Sequence, residues 1–224
     1  FIRNGPVLHQ LPVRIVGVGG GYEYAHAGHT HHALEDIGVL RIQPGLTIIA
    51  PTDANQAAQA LEKTYNLPNP IYYRLGKNDQ LTIPNLDGRF TLGKAETVIE
   101  GTDILWITMG AITRNVINSV NLLKNKGISS EVLCVSSINP TPIEDIQKSI
   151  KGFSEVITVE AHYTSGGLGS IVAEIIAENR LDCHLTRKGV THISTKLGDQ
   201  HYLDRQFGLD AESLANFANS LINK

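Results

Sequence analysis

The chain alternates between short apolar runs of strand character and segments with helical spacing. That rhythm restricts it to an α/β architecture with helices packed on mostly parallel strands. Strands are predicted at 13–18, 46–50 and 71–75, with helices at 31–43 and 55–65 between them. The 31–43 helix rests on Ala33, Leu34, Ile37 and Leu40, and Pro44-Gly45 ends it. The stretch 76–93 breaks the rhythm with the turn formers Asn78, Asp79, Pro84, Asn85, Asp87 and Gly88, and marks a domain boundary. Beyond it, strands at 104–110, 130–135, 155–160 and within 184–191 alternate with helices at 111–126, 141–150, 167–179 and 210–222. The expected fold is an incomplete parallel-sheet unit over 1–88, with only about three strands, followed by a complete α/β domain over 89–224.

Bulk properties exclude several classes of function. A formal charge of −3 over 224 residues supplies no basic field for nucleic acid or an anionic membrane. No apolar run approaches the ~20 residues needed to span a bilayer. The start, Phe1-Ile2-Arg3-Asn4-Gly5-Pro6, lacks the pattern of a signal peptide. It also lacks an initiator Met, which reads as a fragment of a longer protein. Two cysteines, Cys134 and Cys183, make no disulfide framework, and Cys134 sits in an apolar run as a core residue. A cytoplasmic setting is expected.

Four histidines, His26, His29, His31 and His32, crowd between the run Gly19-Gly20-Gly21 and the predicted helix. Histidine titrates near neutral pH, so such a cluster suits proton transfer, anion binding or metal ligation. A helix beginning near His31 pairs His31 with Glu35 and His32 with Asp36 on shared faces. The loop follows a strand, where α/β proteins place their sites. Zinc-type ligation and a merely hydrated loop both remain open, although no H-E-x-x-H motif or nearby cysteine supports zinc.

Three other segments carry polar chemistry. Gly166-Gly167-Leu168-Gly169-Ser170 opens a helix and reads either as an anion cradle or as close helix-to-strand packing, the latter favoured. Glu160 and His162 precede it and read as a solvated pair. Asp199, His201 and Asp204 read as a polar surface loop.

The order of several motifs resembles one family. Gly28 to Ile37, Gly-x-Thr-His-His-Ala-Leu-Glu-Asp-Ile, is similar to the pyrimidine-binding domain of transketolase-like, thiamine diphosphate-dependent proteins. Arg41, Pro44-Gly45, Ile49-Ala50-Pro51-Thr52-Asp53-Ala54 and Pro70-Ile71-Tyr72-Tyr73-Arg74-Leu75 continue the match. Val159-Glu160-Ala161-His162-Tyr163 and Gly166 to Ser170 resemble that family's C-terminal domain. Tyr24 resembles a residue of the split, two-subunit relatives.

The resemblance implies that 1–88 is the end of a pyrimidine-binding domain and 89–224 a transketolase C-terminal domain. It implies two-carbon ketol transfer between sugars, with His31 and His29 catalytic, and Arg74 and His26 binding a phosphorylated or related substrate. A guanidinium fork suits either anion. Thiamine diphosphate and Mg belong to the parent complex, with none expected on this fragment alone. The cofactor-binding residues are expected upstream of Phe1 or on a partner chain, and no metal site is expected here. Partners are a diphosphate-binding subunit or domain and further copies of the chain. A 1-deoxyxylulose-5-phosphate synthase-like condensation and a 2-oxo acid dehydrogenase β-type subunit are alternative relatives. A non-catalytic dimerisation or assembly module is the alternative of another class.

Overall fold

The computed structural model describes residues 1–78 and 80–222; Asp79 of the predicted boundary lies outside the described residues. Two sheets form. The first has the order β1-β3-β2-β7, built from β1 (Arg14–Val18), β2 (Thr47–Ile49), β3 (Ile71–Leu75) and β7 (Ser137–Asn139). Its first three strands run parallel, and β7 joins β2 antiparallel. The second sheet has the order β4-β6-β5-β8-β9. It contains β4 (Glu96–Ile99), β5 (Ile104–Thr108), β6 (Ser130–Cys134), β8 (Glu155–Tyr163) and β9 (His184–Val190). Only β4 is antiparallel to its neighbour.

The helices are α1 (Asp36–Leu40), α2 (Ala54–Thr64), α3 (Thr113–Lys124), α4 (Ile143–Ile150), α5 (Leu168–Asn179), α6 (Gln200–Gln206) and α7 (Ala211–Ile222). Every residue of β5 and β6 is buried, as expected of strands in the middle of a sheet covered on both faces. Asp53 caps α2 by accepting the Gln56 amide at 2.8 Å, which fixes where that helix begins. Gly127, at φ +78°, ends the turn after α3. No helix among the described residues is long and apolar enough to cross a membrane.

Several expectations change. The predicted 31–43 helix shrinks to five residues, because His29–His31 forms a 3₁₀ turn and His32 is extended. The pairings of His31 with Glu35 and His32 with Asp36 on one helix face therefore do not exist. The short strands β4 and β7 carry no long apolar run and were not legible by pattern. The segment around His201 and Asp204 is the helix α6, and Asp204 is buried. Glu160 and His162 are buried too, both in β8, which runs to Tyr163 rather than ending at Glu160.

The first sheet leans on the second half of the chain. Ile37, Leu46, Ile48 and Ala50 share one core with Ile107, Leu133, Ile146 and Leu168. Tyr22, Leu34 and Leu86 enter another with Trp106 and Val116. β1, at the sheet edge, leaves Val16 and Val18 exposed.

Candidate functional site

The glycine run after β1 turns the chain back on itself. Gly21 and Ala33 bond reciprocally, N–H to carbonyl, at 2.8 and 3.0 Å and close the histidine loop. Gly21 sits at φ +69°, where a side chain would be strained, and a Cβ there would fall 2.6 Å from Ala161. Tyr22 anchors the loop in the core, stacked on Phe207 at 5.8 Å and edge-on to His32 at 4.9 Å.

The loop sorts its histidines. His29 Nε2 donates to the Ser194 carbonyl, and its ring meets His32 at 5.2 Å. Both line a cavity of about 120 Å³ with Glu35 and Tyr163. Burial lowers the pKa of His32, and the neighbouring His29 adds to this. This small cavity shares Glu35, Tyr163 and Ile193 with a larger one of about 590 Å³ that also reaches His162 and His192. His26 and His31, exposed like His29, line neither cavity, and His31 Nδ1 meets the Thr30 hydroxyl at 3.0 Å. Among the described residues, no group of three His, Cys, Asp or Glu is placed to hold a metal ion.

Arg74 lies elsewhere. It is 5% exposed, and its Nε and Nη2 donors are committed internally. Nε pairs with Asp36 Oδ2 at 2.9 Å, while Nη2 donates to the Ala33 and Ala161 carbonyls, each at 2.9 Å. The Tyr72 hydroxyl donates to the same Asp36 oxygen at 2.7 Å. Nη1 faces Gly20, where a Cβ would stand 2.6 Å away. His31 does not line the small cavity that Arg74 shares with Gly20, Glu23 and Gly110. The sequence named Arg74 but not its partners: Asp36 is 38 residues away, and the Ala161 carbonyl 87.

A second polar group crosses from β8 to α1. His162 Nε2 accepts the Gly38 amide at 3.1 Å, which requires its proton on Nδ1, and that N–H donates to the Tyr163 carbonyl at 2.7 Å. Burial lowers the His162 pKa. Glu160 accepts the Leu168 and Gly169 amides at 2.8 and 2.9 Å. The glycine-rich start of α5 is thus already occupied by the chain's own Glu160 carboxyl. Gly167 is needed there because a Cβ would lie 1.9 Å from Glu160 Oε2. Burial nevertheless pushes Glu160 up to about 7, against the pull of those two amides. A glutamate six to nine residues ahead of a glycine-rich helix start was the available signal for this cap.

Residues 1–80 match the family model for the transketolase pyrimidine binding domain, and 93–214 match that for the transketolase C-terminal domain. The chain is 36% identical over 219 residues to one of the subunits of the apulose-4-phosphate transketolase of Phocaeicola vulgatus, covering 96% of this chain and 69% of that protein. It is 34% identical over 217 residues to a putative transketolase C-terminal section of Methanocaldococcus jannaschii, covering 96% and 68%. A solved split gene transketolase, an inactive β4 tetramer, superposes with TM-score 0.85 at 26% identity, covering 99% of this chain and 70% of that one. The chain belongs to the transketolase family and is similar within it to the second subunit of the split forms.

Proposed function

We propose that this chain is the substrate-facing part of a transketolase-like transferase that moves a two-carbon ketol unit between sugars or sugar phosphates, working only with a diphosphate-binding partner subunit. The observation that carries this reading is the loop of residues 22–32: it is closed by Gly21 and Ala33 and presents His31 to the exterior. An exposed imidazole there is open to chemistry assembled with a second chain. His31 donates a hydrogen bond to the alkoxide that develops on the substrate, a stabilisation that grows toward the transition state. His29 fixes the loop through the Ser194 carbonyl, and His26 lies on the rim. Arg74 seats the loop from beneath through the Ala33 carbonyl.

The family implies thiamine diphosphate with Mg. The residues present do not fit its diphosphate end. The glycine-rich helix start is filled by Glu160, and the described residues form no metal cluster. That end belongs to the partner. The same reading places residues 1–88 in the pyrimidine-binding domain and 89–224 in the C-terminal domain. It also has copies of the chain associating, as in the β4 tetramer of the solved relative. Two free cysteines accord with a cytoplasmic setting.

The test is kinetic. In the enzyme reconstituted with its partner, His31→Ala lowers kcat roughly 10²-fold, and His31→Gln, which keeps a donor, restores part of it. Wild-type kcat from His31→Ala removes the assignment.

A further inference from the structure

Both halves of the chain hold the histidine loop. From the first sheet, Lys77 meets it just after β3: its amide donates to Glu23, and its Nζ stands 4.6 Å from the centroid of the Tyr24 ring. From the second half, the Tyr163 amide donates to the Leu34 carbonyl at 2.9 Å, and the Ser194 carbonyl accepts from His29. Tyr22 and Ala25 are buried in one core with Leu203 and Leu209 of the α6–α7 corner. A ladder of rings runs out from that corner. Phe207 stacks on Tyr22 at 5.8 Å with 18° between the planes, and Tyr22 meets His32 edge-on at 4.9 Å and 88°. His32 meets His29 at 5.2 Å, and His192 tilts onto Phe207 at 5.1 Å. In sequence, His31 falls between the last two rungs, His29 and His32.

Stacked and edge-to-face rings at these separations attract one another and fix relative orientation. Tyr22 contributes its ring and not its hydroxyl, which is buried with no hydrogen-bond partner. The His31 side chain has no such support of its own. It is exposed, and among the described residues its only side-chain hydrogen bond is to its neighbour Thr30. The place of its imidazole is therefore set by its backbone, through the 3.0 Å bond from its amide to the Gly28 carbonyl and through the anchoring of His29 and His32 on either side. A reacting group displaced by about 1 Å can lose up to ~10²-fold in rate.

We propose that Phe207, acting through Tyr22, is a positioning residue for His31, so that the α6–α7 corner of the second half sets where the loop holds its exposed imidazole. The proposal rests on the transferase reading, in which His31 meets the substrate. Phe207 reaches the loop only through the Tyr22 stack and touches none of the reacting atoms. Loss of its ring leaves substrate binding in place and misplaces the donor that stabilises the alkoxide, so the loss falls on kcat and not on KM. Its effect must also vanish once His31 has no imidazole to place, because residues that act as one unit are not additive.

A double-mutant cycle in the enzyme reconstituted with its partner tests this, together with amide hydrogen exchange on the chain alone. Phe207→Leu should lower kcat roughly tenfold with KM little changed, and should cost nothing further in the His31→Ala background. Phe207→Tyr keeps the ring and should restore kcat. In the chain alone, exchange at the His31 and Ala33 amides should quicken roughly tenfold in Phe207→Leu, while the amides of β3 exchange as in the wild type. Should Phe207→Leu fail to fold, Phe207→Met fills the site with an unbranched apolar chain and carries the same cycle. Equal losses of kcat with and without His31, a Phe207→Tyr as impaired as Phe207→Leu, or unchanged exchange at His31 and Ala33 overturns the proposal. The two readings fail differently. Wild-type kcat from His31→Ala removes the transferase reading and the positioning role together. A depressed His31→Ala with additive losses from Phe207→Leu removes the positioning role alone.

Discussion

Arg74 Nε and Asp36 Oδ2 lie 2.9 Å apart, joining β3 to the start of α1 beneath the histidine loop. The same guanidinium reaches the Ala161 carbonyl in the second sheet, so one side chain bonds the loop, the first sheet and β8. Removing one partner of a buried pair strands the other charge. Arg74→Met should therefore destabilise the protein by roughly 3 kcal/mol. Arg74→Met combined with Asp36→Asn should recover part of that loss. Urea denaturation of the three variants and the wild type checks it. An Arg74→Met stability equal to wild type would show that the pair adds nothing.

His162 and Gly38 link β8 to α1 through a nitrogen that must stay unprotonated. Burial lowers the folded pKa of His162 below the ordinary 6.5. The unfolded chain therefore binds more protons as pH falls, and folding stability declines with it. The contribution is complete above about 6.5 and disappears as pH drops through the folded value. Protonation also removes the acceptor for the Gly38 amide. His162→Gln keeps an acceptor without titrating, so its Tm should fall less than that of the wild type between pH 7 and pH 5. Parallel losses in both proteins would refute the role of His162.

Glu160 works in the opposite direction. Its carboxyl is pushed up to about 7, above the ordinary 4.5, so the folded state holds a proton that the unfolded chain has already lost. This contribution is present below 4.5 and is lost as pH rises through about 7. Glu160→Gln is permanently neutral and should remove that part of the pH dependence. Across the window the difference amounts to roughly 3–4 kcal/mol, at 1.36 kcal/mol per pKa unit. Tm measured at pH 5 and pH 8 in wild type and variant checks it; identical differences would rule it out.

The α/β class and most of the long elements were legible in the sequence because they depend on local pattern. Ile104–Thr108 and Ser130–Cys134 were legible as strands from the apolar runs 104–107 and 132–135, which need burial. Asp53 and Gly127 mark helix ends through their own backbone and side-chain chemistry. The helix expected at 31–43 shows the limit. Its apolar spacing was real, since Leu34, Ile37 and Leu40 are buried, yet the loop closure at Gly21 and Ala33 holds the first turns out of helix.

By itself the sequence determined the alternation of elements, the buried place of Cys134 and the motifs that carry the family resemblance. Only the tertiary structure decided which polar groups meet. Arg74 turned inward to Asp36, Glu160 capped α5 instead of facing solvent, and Asp204 and Asp210 came to share one cavity wall. Periodicity is written in neighbouring residues. The burial and partners of a polar group depend on segments up to 165 residues away, as between His29 and Ser194, and emerge only when the chain packs.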